Sequence, residues 1–105
     1  MKSDPRSLAE IFERVTPERI DSLFQENEII QIRTSHEAII ATKRESEVLL
    51  YLISGRSANA ASEQMGISPR TVESHIVNLK NKLGCNKISE VIYRALTGHF
   101  LENFR

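Results

Sequence analysis

In the stretch Ser68-Pro-Arg-Thr-Val-Glu-Ser-His-Ile-Val-Asn-Leu-Lys-Asn-Lys-Leu-Gly84, a serine followed by proline opens a helix and a glycine closes it. The serine hydroxyl can accept from the amides of the first turn. Proline at the first helical position has no amide to leave unpaired, and glycine suits the left-handed conformation past a helix end. The spacing therefore predicts a helix over 69–83. At 100° per residue, Val72, Ile76, Leu79 and Leu83 fall within about 60° of one another, so this narrow stripe faces a core. Arg70, Ser74, Val77 and Asn81 then point directly away from it, flanked by Glu73 and Lys80 on one side and by Asn78 and Lys82 on the other. Hydrogen-bonding groups, cations and one aliphatic on a single face can contact base edges, a thymine methyl and phosphates in a major groove. An ordinary solvated helix face has a similar composition, so the neighbouring segments must decide between the two.

Upstream, Thr42-Lys-Arg-Glu45 has the spacing of a capping box, in which hydroxyl and carboxylate each satisfy the other residue's backbone amide. The helix it starts carries Val48, Leu49, Leu52 and Ile53 at core spacing and stops at Gly55. Ser57 opens a second helix, holding Ala60, Ala61 and Met65 and ending at Gly66; its small side chains allow a neighbouring helix to approach closely. Downstream of Gly84, Cys85 to Ile88 read as a turn, and Ser89 reads as the cap of a last helix from Glu90 to about Thr97, with Gly98 after it. Two short helices joined by a tight turn, with one helix before and one after, form the helix-turn-helix arrangement that presents such a polar face.

The residues Thr42-Lys-Arg-Glu-Ser-Glu-Val-Leu49, Gly55, Gly66-Ile-Ser-Pro-Arg-Thr-Val-Glu-Ser-His75, Asn78-Leu79 and Lys82-Leu83-Gly84 together resemble the DNA-binding domain of LuxR-type regulators, the group that includes FixJ and NarL. The resemblance covers residues 42–97, just over half of the chain. It implies an all-α, four-helix domain whose third helix reads the major groove of double-stranded DNA and whose fourth pairs two subunits on a two-fold symmetric site. Glu73, Ser74 and Val77 then fall where the family contacts bases, with Asn78 and Asn81 on the same exposed side. Ser57, Asn59, Ser68, Arg70, Thr71 and Lys80 fall on or beside positions that hold phosphates. Ile88 and Tyr93 fall where the family dimerises, and RNA polymerase is the further partner that the resemblance brings with it. The chain departs from the family in two places: Ala58-Asn59 stands where Asn-Lys is common, and Val77 where Lys or Arg is frequent. Fewer phosphate contacts release fewer counterions, so the resemblance implies modest affinity and a shallow salt dependence.

Residues 1–41 are expected to form a short helical segment or linker ahead of a DNA-binding domain at 42–105. Asp4-Pro5 starts one amphipathic helix with Leu8, Ile11, Phe12 and Val15 on one face. Thr16-Pro17 starts another with Ile20, Leu23 and Phe24. Each stripe must be buried on the domain or against a second chain, and a loosely attached tail is the alternative. Residues 27–41 hold Ile29, Ile30 and Ile32 in a pattern that fits a short strand, a turn of helix or an ordered linker alike. These 41 residues are too few for a receiver or acyl-lactone-binding input domain. A short stand-alone regulator and a fragment of a longer one both fit, and the initial Met favours the first.

Formal charge sums to zero, but it is unevenly spread. Residues 1–42 carry five Lys and Arg against eight Asp and Glu, a net −3, and residues 43–105 carry nine against six, a net +3, which sets an acidic segment beside a polyanion-binding one. One cysteine, Cys85, cannot form an internal disulfide, and with no leader-like N-terminus and no apolar run of about 20 residues a cytoplasmic protein outside the membrane is expected. No metal-ligand spacing, phosphate loop or nucleophile motif appears, so neither catalysis nor a cofactor is expected. His75 is expected to pack with a backbone hydrogen bond, and Cys85 to behave as a small buried apolar residue. Two other readings remain. In the first, the chain is an interaction module that forms mixed dimers with a full-length regulator and inhibits it. The second, a sigma-factor promoter-reading domain, fits Lys82-Leu-Gly-Cys85 less well.

Overall fold

The computed structural model describes residues 16–26, 30–33 and 38–104. Helix α1 spans Pro17–Glu26, strands β1 and β2 span Ile30–Arg33 and Ala38–Ala41, and helices α2 to α5 span Lys43–Ile53, Ala58–Met65, Pro69–Leu83 and Ile88–Thr97. A 3₁₀ helix, Phe100–Phe104, follows. Among the described residues the fold is all-α apart from one antiparallel hairpin, in register Ile30↔Ala41 to Arg33↔Ala38. The first amphipathic helix expected near the start lies outside the described residues.

The helices begin and end where local chemistry dictates. Thr42 and Glu45 form the full capping box, with Glu45 N to Thr42 Oγ1 at 3.2 Å and Thr42 N to Glu45 Oε1 at 3.0 Å. Ser57 and Ser68 cap α3 and α4 by accepting from Ala60 N and Thr71 N, both at 3.1 Å, and Thr16 accepts from Arg19 N ahead of α1. Gly66 and Gly84 end α3 and α4 in the left-handed conformation, at φ 67° and 66°. The last helix is different. It starts at Ile88 with Lys87 as N-cap, and the Lys87 carbonyl accepts from Glu90 N and Val91 N. Ser89 therefore lies inside the first turn and caps nothing, because the backbone has already turned helical at Ile88, one residue earlier. Gly98 likewise keeps a negative φ of −89°, and the left-handed residue is His99, at φ 62°.

One core joins all the helices and β2. Val48, Leu49 and Leu52 of α2, Ala61 of α3, Val72, Ile76, Leu79 and Leu83 of α4, and Val91 and Ala95 of α5 are all buried in it. Burying each of the larger side chains is worth about 1.5–3 kcal/mol, which outweighs any surface contact and fixes the rotation of α4 about its axis. Leu23 of α1 and Ile39 and Ala41 of β2 belong to the same cluster, and so do Phe100 and Leu101 of the 3₁₀ helix. The C-terminal 3₁₀ helix packs on β1 and α1, and α1 packs on α2, where Lys43 pairs with Asp21. Residues 17–26 and 38–41 are thus packed on the domain. The hairpin resolves the ambiguous stretch: β2 alternates exposed and buried residues, a period of two that four residues flanked by polar ones barely display.

Candidate nucleic-acid interface

Exposure along α4 follows the helical wheel. Val72 and Leu79 are fully inaccessible and Ile76 and Leu83 nearly so, whereas Arg70, Glu73, Ser74, Val77, Asn78 and Asn81 are exposed. Val77 is 51% exposed, an aliphatic side chain held in water by the burial of its neighbours. Thr71 and Ser68 are exposed at the start of the helix and Lys80 is half-buried on its flank. Among the described residues, neither Arg70 nor Lys80 is in an ion pair, so both keep their charge for an incoming anion.

The hydroxyls are partly committed. Ser74 Oγ donates to the Arg70 carbonyl at 3.1 Å, which leaves its lone pairs free to accept from a base amino group. Ser68 Oγ accepts from Thr71 N and shares a 2.8 Å hydrogen bond with Thr71 Oγ1. Ser57, the cap of α3, and Asn59, in its first turn, are both exposed, and α3 packs directly against α4 across the three-residue turn Gly66 to Ser68. The exposed starts of two packed helices and the outer face of the second thus carry the residues expected to contact DNA, all of them exposed except the half-buried Lys80.

Lys82 departs from the expectation of an exposed flank. Its Nζ reaches Glu45 Oε1 at 2.6 Å and the Ile40 carbonyl at 3.0 Å, so its charge is spent within the protein. Glu45 is 3% exposed, and the ammonium is what makes its buried carboxylate tolerable. His75 also differs: it is half-buried, but the expected backbone hydrogen bond is not formed. It stands near the Glu47 carboxylate, whose pKa is raised by burial against the lowering effect of Arg44 and Lys43, with Asp21 adding to the rise and His75 opposing it. Cys85 is buried, as expected for a small apolar side chain, and that burial pushes its thiol up, with Arg94 opposing and Glu90 adding a smaller rise.

On α5, Ile88 is 39% and Tyr93 68% exposed. Sequence reasoning missed Leu96, 44% exposed, which with Ile88 and the partly buried Ile92 continues an apolar row at a four-residue spacing. That spacing was the available signal. No helix among the described residues is long and apolar enough to cross a membrane.

Residues 40–95 match the family model of bacterial regulatory proteins, luxR family. The chain is 40% identical over 55 residues to the transcriptional regulatory protein MctR of Rhizobium johnstonii, which covers 52% of this chain and 26% of that one. It is 37% identical over 57 residues to the transcriptional regulatory protein UhpA of Salmonella typhimurium, covering 54% of this chain and 29% of UhpA. The chain therefore spans under a third of the length of these relatives. Among solved structures it resembles the Vibrio cholera VqmA–ligand–DNA complex, with a TM-score of 0.52 at 34% identity over 59% of this chain and 30% of that one. It also resembles VqmA bound to DPO, with a TM-score of 0.56 at 31% identity over 67% of this chain and 40% of that one.

Proposed function

The chain belongs to the luxR family of bacterial regulatory proteins, and on that premise we propose that it regulates transcription by binding double-stranded DNA with α4 in the major groove. The observation that carries this reading is the bare polar face of α4. Its apolar stripe is buried, and Arg70, Glu73, Ser74, Val77, Asn78 and Asn81 are left open to an incoming duplex. Glu73, Ser74 and Val77 are assigned to base edges, where a carboxylate accepts from cytosine amino groups and an aliphatic meets a thymine methyl. Ser57, Asn59, Ser68, Arg70, Thr71 and Lys80 are assigned to phosphates, and Asn78 and Asn81 to the groove walls. In this reading residues 42–105 are the DNA-binding unit, residues 1–41 are a short segment ahead of it, and α1 and β2 brace it. Two copies pair through Ile88, Tyr93 and Leu96 of α5 in the cytoplasm, where RNA polymerase is the further partner. That the VqmA complex contains DNA supports the assignment.

A gel-shift titration with random genomic fragments at low and moderate salt tests it. The expected result is a band that weakens as salt rises, with a shallow slope because only a few cations face the duplex. Absence of any salt-dependent band at low salt removes the proposal. The apolar row on α5 supports a second reading, in which the chain forms mixed dimers with a full-length relative and inhibits it. That reading is the one left standing if no DNA is bound.

A further inference from the structure

We infer that Lys82 is a positioning residue that clamps the recognition helix to the N-terminal hairpin, and that it does not contact phosphate; this rests on the DNA-binding reading above. The residue sits on the last turn of α4, on the flank of the exposed face, where a lysine would ordinarily be assigned to the duplex. Its Nζ instead closes on two acceptors from different elements, Glu45 Oε1 of α2 at 2.6 Å and the Ile40 carbonyl of β2 at 3.0 Å. The same carboxylate oxygen accepts from Thr42 N at 3.0 Å. One ammonium and one carboxylate oxygen thus tie together the end of the hairpin, the start of α2 and the end of α4, across separations of 42 and 37 residues.

The consequence is mechanical. Core burial, down to Leu83, sets the rotation of α4, and the clamp adds a second, polar anchor on the last turn, from which Asn81 faces outward. A contact to a backbone carbonyl carries no information from the Ile40 side chain, so what α4 senses is the place of the strand itself. Ile39 and Ala41 on either side are buried in the common core, which Leu23 of α1 also enters. A shift of β2, or of α1 in the same core, is therefore transmitted to the DNA-reading face through Lys82.

The test uses the full chain with Lys82→Met, and with the double variant Lys82→Met/Glu45→Gln. The double variant removes both charges and keeps a side chain able to complete the capping box, so it folds even where the single variant leaves a buried carboxylate unpaired. Affinity for a duplex selected by the wild-type protein is measured across a salt series, and amide exchange is followed in the hairpin. Affinity is expected to fall roughly five- to ten-fold with no change in salt slope, and exchange at residues 38–41 to speed up. A slope reduced by about 0.9 would show a lost phosphate contact and overturn the inference. Unchanged affinity or unchanged exchange would overturn it as well. If the wild-type chain binds no DNA, the functional proposal fails, while the exchange measurement still decides whether the clamp exists.

Discussion

At Glu47 the burial of a carboxylate outweighs the cations placed around it, so the folded state holds the proton more tightly than the unfolded chain does. A group with a raised folded-state pKa contributes stability that is present below its unfolded value of 4.5 and is lost as pH climbs through the raised one. Glu47→Gln is therefore expected to be more stable than wild type near pH ~7, with the difference closing as pH falls toward ~4; urea midpoints at both ends measure it. Wild type more stable at the upper end would mean that the 3.6 Å pairing with Arg44 outweighs desolvation. Residues whose environment is set by their own helix were legible in the sequence: the exposure of Arg70, Ser74 and Val77 follows from the burial of Val72, Ile76 and Leu79. Lys82 and His75 were not, because their surroundings come from α2 and the hairpin, and helical spacing carries no information about partners some 37 residues away.

Among the elements, the caps at Thr42, Ser57 and Ser68 were readable because each is a hydrogen bond across three residues. The same local pattern failed at Ser89, where Lys87 had already closed the first turn through its carbonyl. The two sites consequently part company under mutation. Thr42→Ala loses one half of a capping box and is expected to cost about 1–2 kcal/mol. Ser89→Ala removes no cap, and with alanine the better helix former it is expected to stay within about 0.5 kcal/mol of wild type or gain slightly. Chemical denaturation of both variants measures the difference, and equal losses would restore Ser89 as a cap. The hairpin escaped the sequence because β2 is four residues long, too short for alternation to be distinguished from a turn of helix. Its register is fixed by burial of Ile39 and Ala41 in the core and by the Lys82 bond to Ile40, neither of which is local.

For the whole molecule, the least legible feature was the packing of the 3₁₀ helix after α5 on elements ahead of α2. Phe100 lies beyond the last predicted helix, yet it is the largest fully buried side chain among the described residues, and its 3₁₀ helix packs on β1 and α1. Residues 17–26 are in consequence a packed part of the fold. The apolar row of α5 stays exposed within one chain, and the proposed pairing through it is a property of two. Tyr93→Asp is expected to shift sedimentation of the full chain toward the monomer mass while leaving thermal stability nearly unchanged, since Tyr93 is 68% exposed. A wild-type chain already monomeric at the same concentration would exclude pairing through this row. The central claim is that the outer face of α4 selects DNA sequence. It is tested most directly by selecting bound duplexes from a random pool with wild type, Ser74→Ala and Lys80→Ala. The account predicts one enriched sequence for wild type, a changed preference at one position for Ser74→Ala, where a base contact is worth about 1–3 kcal/mol, and the wild-type sequence at lower yield for Lys80→Ala. No enrichment with wild type, or identical preferences and equal losses in both variants, would contradict it.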